Sequence, residues 1–155
     1  MTEATPESRL VSLGLELPPP SSPIATYTMV ARVGELLFTS GHGPWRDGEL
    51  QYKGILGAGI DIPTGQKAAE LVMLNVLASV KKELSELSAI RRVVKMLVLV
   101  ASTPEFTLHH EVANGASDLL VDVLGHDAGV HTRSAVGVAA LPMGISVEIE
   151  AIFAI

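Results

Sequence analysis

Apolar and polar positions follow two different periods along this chain. "TYTMVARV" (26–33) is rich in β-branched residues and reads as a strand, with "LLFTSG" (36–41) as the returning strand and Gly34-Glu35 as the tight turn between them. "HGPWRDGELQYKG" then supplies Gly, Pro and Asp-Gly turn signals, with room for a short third strand near 49–54. From Thr64 the period changes. Ala69, Val72, Met73, Val76, Leu77, Val80, Leu84 and Leu87 recur at steps of three and four, which predicts one face of a helix. "VVKMLVLVA" (93–101) is apolar on both faces and reads as a strand covered on both sides. Thr103 and Pro104 predict the start of a second helix, continued by Val112, Ala116, Leu119, Leu120 and Val123 and stopped by Gly125. Residues 131–155 divide into two strands about "LPMG".

Ahead of these elements, "LPPPSSP" (17–23) can be neither a helix interior nor a central strand, because proline removes donors and fixes φ. Residues 1–24 therefore read as an extension, with a short helix in "RLVSLGLEL", before a single domain over 25–155. The order β-β-(β)-α-β-α-β-β predicts an α+β fold with two helices on one face of a mixed sheet. Nothing in the chain is left to cover the other face. That face is expected to be buried between copies in a closed homo-oligomer.

Composition narrows the chemistry. The chain has 155 residues, enough for one core without staples. It has no cysteine, which removes disulfides, thiolate metal sites and cysteine nucleophiles. Eleven basic residues against seventeen acidic ones give a formal charge of −6, and no Lys/Arg run is present. Little counterion release is available, so nucleic acid is not the expected partner. The N-terminus carries no basic-then-apolar signal and the longest apolar run, "MLVLVA", is too short for a bilayer. A soluble, cytoplasmic protein is expected, without a membrane partner. The five histidines lack metal-ligand spacing, so no metal site is predicted. "GAGIDIPTGQK" (57–67) matches neither phosphate-binding fingerprint, and its glycines read as turn residues.

The charged residues of the closing strands remain. In a strand, Glu148 and Glu150 point to one face together with Ser146 and Ile152. Carboxylates there need water, a donor or a cation. They either lie at a wet edge, make interface ion pairs or serve a site. Arg133 opens the preceding strand, and its planar fork either clamps a ligand carboxylate or pairs with one of these glutamates. If "LPMG" joins a hairpin, Arg133 lies opposite about residue 152 and Glu148 opposite about residue 137, too far apart at ~3.3 Å per residue for a direct pair. A site using both would then need a bridging ligand or a neighbouring subunit.

"RSAVGVAALPMGISVEIEAIFAI" resembles the closing signature of the RidA (YjgF) family of enamine/imine deaminases, whose members are often labelled endoribonuclease L-PSP or translation inhibitor. "TYTMVARVGELLFTSGHGP" is similar to that family's first hairpin, and "NVLASVKKEL" with "VVKMLVLVASTPEF" to its first helix, next strand and second-helix start. The resemblance implies a chorismate-mutase-like fold assembled as a homotrimer with clefts between subunits. It implies that Arg133 grips the carboxylate of a small imino or keto acid, that Glu148 places the attacking water, and that Tyr27, Ser40, Gly41 and His42 lie near the substrate. The implied reaction is cofactor-independent hydrolysis of a 2-imino or enamino acid to a 2-keto acid and ammonia. Ala25-Thr26 and His42 depart from the family's usual Gly-Pro and Gln, and with the N-terminal extension they mark a divergent branch. A trimer that holds a metabolite without turning it over is the alternative, and an endoribonuclease is the third reading.

Overall fold

The computed structural model describes residues 4–155. Helix α1, Pro6–Ser12, begins where the Thr5 hydroxyl accepts from the Ser8 amide at 3.1 Å. It buries Leu10 in the main core, so the N-terminal segment is packed onto the domain. Strands β1 (Val30–Val33) and β2 (Leu36–Thr39) form the expected hairpin about Gly34, whose φ of 59° suits the turn. Next come a two-residue ribbon, β3 (Trp45–Arg46) with β4 (Glu49–Leu50), and the short parallel pair β5 (Ile55–Leu56) and β6 (Gly59–Ile60). The third strand expected near 49–54 is thus confined to 49–50, its partner lying at 45–46.

Helix α2, Ile62–Leu84, is capped by Asp61, which accepts from the Thr64 amide at 2.9 Å. Strand β7 (Arg92–Ala101), helix α3 (His109–Leu124), a single turn α4 (His126–Gly129), strand β8 (Thr132–Val138) and strand β9 (Val147–Ala154) complete the chain. The second helix does not begin at Thr103. The Thr103 amide is taken by the Leu56 carbonyl at 3.0 Å, and residues 103–106 close a separate turn before the chain becomes helical at His109. Gly125 ends that helix as expected.

The five-stranded sheet has the order β1-β2-β9-β7-β8. Here the hairpin expected about "LPMG" gives way to a different topology. Strands β8 and β9 are not partners: β7 lies between them, parallel to β8 and antiparallel to β9. The parallel pair is possible because α3 supplies the long crossover that parallel strands need.

Both helices cover one face, where Met96, Val98, Ile149 and Phe153 pack fully buried against Val72, Val76, Val112 and Leu120. Leu36, Phe38 and Val136 on the other face remain 37–43% exposed. The two helices approach closely at Gly115, where a Cβ would overlap the backbone carbonyl of Gln66. Gly115→Ala should therefore cost about 1–3 kcal/mol of stability by overpacking, read as a lowered denaturation midpoint with unchanged m-value.

Candidate active site

Strand β2 leaves β9 through a bulge. Phe38 pairs with Ile152, yet the next backbone pair is His42 with Ile149, so four steps on one strand match three on the other. Thr39 fills the gap, its hydroxyl accepting from the Ala151 amide at 3.0 Å. Bulges re-aim side chains and backbone, and this one lifts Ser40-Gly41 over Glu148. A Cβ on Gly41 would overlap Glu148 Oε1 and stand 2.8 Å from its Cδ. Glycine is what allows the carboxylate to lie against the chain there.

The bulge opens onto a cavity of about 290 Å³ lined by Tyr27, Ser40, Gly41, His42 and Glu148, with Trp45 and Met143 at its sides. Five of the six residues expected from sequence thus meet at one place. Ser40 donates from Oγ to the Thr28 carbonyl at 2.6 Å, which fixes the segment between Tyr27 and the bulge.

Glu148 is half-buried and, among the described residues, has neither an ion-pair partner nor a side-chain hydrogen bond. Burial, with a smaller contribution from neighbouring Glu150, pushes its pKa above the ordinary carboxylate value. A half-buried carboxyl whose pKa is raised in this way is suited to exchanging protons with a bound ligand.

His42 borders the cavity, but its ring is a poor candidate for direct substrate contact. Nδ1 lies 2.7 Å from the Ser40 carbonyl, which can only accept, so Nδ1 carries the hydrogen. Nε2 then accepts from the Ser79 hydroxyl of α2 at 2.9 Å. With both nitrogens engaged and the residue 1% exposed, the imidazole braces the bulge from beneath. Burial lowers its pKa, the Ser40 carbonyl opposing this, and the ring is neutral.

Arg133 lies elsewhere. Its register partner on β7 is Met96, itself opposite Ala151, so its side chain projects to the helical face. Glu148 is level with Leu99 and Val136 and projects to the open face. Within one chain the two are three residues apart along the strands, roughly 10 Å, two strands apart, and on opposite faces. Within one chain they cannot pair directly, and the sheet order rather than a hairpin register keeps them apart.

The guanidinium is nevertheless built into position. Nη1 donates to Asn114 Oδ1 and Ser117 Oγ, both at 2.9 Å, and Nη2 to the His110 carbonyl at 3.1 Å. His131 continues the chain: its Nδ1 donates to the Gly129 carbonyl at 2.6 Å, and Nε2 accepts from the Ser117 hydroxyl at 3.1 Å. Every acceptor on Arg133 among the described residues is neutral, and Nε–H and one hydrogen of Nη2 remain for a ligand. Sequence reasoning missed Asn114, Ser117 and His131. The available signal was two polar residues three apart on α3, beside the close-packed Gly115.

No group of three or more His, Asp or Glu side chains among the described residues is placed to hold a metal ion. No helix among them is long and apolar enough to cross a membrane.

The family model described as "YjgF/chorismate_mutase-like, putative endoribonuclease" matches residues 7–154. Protein TCP17 of Trypanosoma cruzi is 41% identical over 145 residues, covering 94% of this chain and 91% of that protein. The crystal structure of Atu1372 from Agrobacterium tumefaciens, a protein of unknown function, is 46% identical with a TM-score of 0.91, covering 97% of this chain and 92% of that one. Escherichia coli TdcF, crystallised with bound serine, is 28% identical with a TM-score of 0.62, covering 90% and 94%.

Proposed function

This chain belongs to the YjgF/chorismate-mutase-like family, and from that membership we propose that it hydrolyses small 2-imino or enamino acids to 2-keto acids and ammonia. The observation that carries the reading is a pair of complementary groups that have no ion-pair partner among the described residues: Glu148 with a raised pKa in a cavity, and Arg133 held by neutral acceptors. Serine bound to TdcF, a fold relative, supports a carboxylate-bearing amino or imino acid as the ligand class.

Opposite faces of one sheet become one site when a second copy packs on the open face. The exposed Leu36, Phe38 and Val136 support that burial, and a homotrimer is the assembly the family resemblance implies. Arg133 of one protomer then grips the substrate carboxylate while Glu148 of its neighbour faces the imine carbon. Imines hydrolyse readily, so orientation and modest proton transfer suffice. As the water oxygen bonds to C2 of the protonated imine, Glu148 takes the proton that the water sheds, leaving a neutral carbinolamine. It returns that proton to the nitrogen and accepts the carbinolamine hydroxyl proton as the C–N bond breaks, releasing ammonia and the keto acid. Ser40 and Tyr27 shape the cavity, and His42 acts by holding the bulge.

Gly41→Ala should keep the fold and lower turnover about 10²-fold, because displacing the carboxylate by roughly an ångström misplaces the attacking water. The reading itself is tested with 2-iminobutanoate generated in situ, following imine decay. Acceleration of keto-acid and ammonia release supports it. Binding of the keto acid by calorimetry without acceleration would leave a metabolite-binding trimer instead. RNA cleavage fits this chain poorly, since it is acidic and lacks a basic stripe.

A further inference from the structure

A second hollow of about 310 Å³ adjoins the Glu148 cavity, and the two share four walls: Ser21, Ser22, Ile24 and Trp45. Its remaining sides are Pro18 and Pro19 of the N-terminal segment and Arg46 to Gly48 of the β3–β4 ribbon. Polarity divides along this axis. The inner end presents the Glu148 carboxylate and the Ser40-Gly41 backbone, and the outer end is mainly apolar, with Pro18, Pro19, Ile24 and the Trp45 indole beside Arg46 and Asp47.

Both outer walls stand on rigid supports. The prolines have fixed φ, and the chain before them is tied down. Glu7 accepts from the Leu87 amide at 2.8 Å and lies 3.3 Å from Lys81 Nζ. Arg9 donates to the Val123 carbonyl at 3.3 Å, and Leu15 and Leu17 pack on the core. On the other side, Asp47 and Gly48 have φ of 53° and 79°, the conformation of a tight hairpin turn. Asn75 of α2 donates to the Trp45 carbonyl at 2.9 Å and anchors the ribbon.

We propose that the hollow receives the side chain of the substrate, so that the preferred imino acids carry a large apolar group, branched-aliphatic or aromatic. This rests on the hydrolytic reading of the Glu148 site. The substrate's polar head lies at the inner end and its side chain extends to the proline–tryptophan end, where each added methylene gains burial. The N-terminal segment thereby becomes a specificity-determining part of the site.

The test compares imines generated in situ by an amino-acid oxidase from leucine, phenylalanine and alanine. Wild type should show kcat/KM at least about 10-fold higher for the two larger imines, the scale at which an apolar pocket discriminates. Trp45→Ala and, independently, Pro19→Ser should bring that ratio towards one. If wild type accelerates all three imines equally, or prefers the alanine product, the side-chain assignment is wrong while the hydrolytic reading stands. A strong preference that neither variant changes also overturns it. No acceleration of any imine removes both readings together.

Discussion

Replacing Arg133 with alanine should reduce kcat/KM for imine hydrolysis by roughly 10²–10⁴-fold while leaving the particle folded. The magnitude follows from losing two charge-assisted hydrogen bonds to a substrate carboxylate, each worth about 1.5–3 kcal/mol. Arg133 is at the edge of the sheet and only partly buried, so the core does not depend on it. Lysine at this position should recover only part of the loss, because a point charge cannot reproduce the planar fork. The same experiment separates gripping from general damage: the thermal midpoint of Arg133→Ala should fall modestly, through loss of its bonds to Asn114, Ser117 and the His110 carbonyl, while the activity falls by orders of magnitude.

Glu148→Gln should trade activity for stability. Turnover should fall about 10²–10⁴-fold, the usual contribution of a positioned acid–base group. Stability should move the other way. Burial and Glu150 raise the pKa of Glu148. Between its ordinary and its raised value, the folded chain holds a proton that the unfolded chain has released. Stability therefore declines as pH rises through that window, leaving a desolvated charge above it. Glutamine removes the charge. The variant should melt at a higher temperature than wild type at pH 8, and the two should converge at acid pH, where Glu148 is protonated. Calorimetric scans across that range would check this. A variant that melts lower than wild type at pH 8 would show that the carboxylate is held by a partner. Gains of this kind are a familiar consequence of removing a strained functional group.

What was legible in the sequence was local. The hairpin about Gly34, the long amphipathic α2 and the common face of Glu148 and Glu150 all follow from periods of two or 3.6 residues, and the structure has each of them. What was not legible depends on contacts between distant residues. The insertion of β7 between β8 and β9 is a choice of sheet order that no short pattern encodes. Helix α3 starts at His109, and the expected start at Thr103 is instead a separate turn tied to the Leu56 carbonyl of a remote part of the chain. The candidate site divides in the same way. Tyr27, Ser40, Gly41 and Glu148 could be named from the sequence through family resemblance, and they line one cavity. The cradle of Arg133, by contrast, is made by α3 and by His131, which become neighbours only in the folded chain. His42 lines the same cavity, and the partner that engages its ring, Ser79, is on α2, where no local pattern could point to it.

The central claim is that Arg133 and Glu148, on opposite faces of one sheet, act together across a boundary between protomers. Co-expressing Arg133→Ala and Glu148→Gln chains under different affinity tags, and assaying imine hydrolysis by particles that carry both tags, tests it directly. Each parent alone should be nearly inactive, and mixed particles should recover a sizeable fraction of wild-type activity, because some sites combine an intact arginine with an intact glutamate. Mixed particles as inactive as their parents would contradict the account.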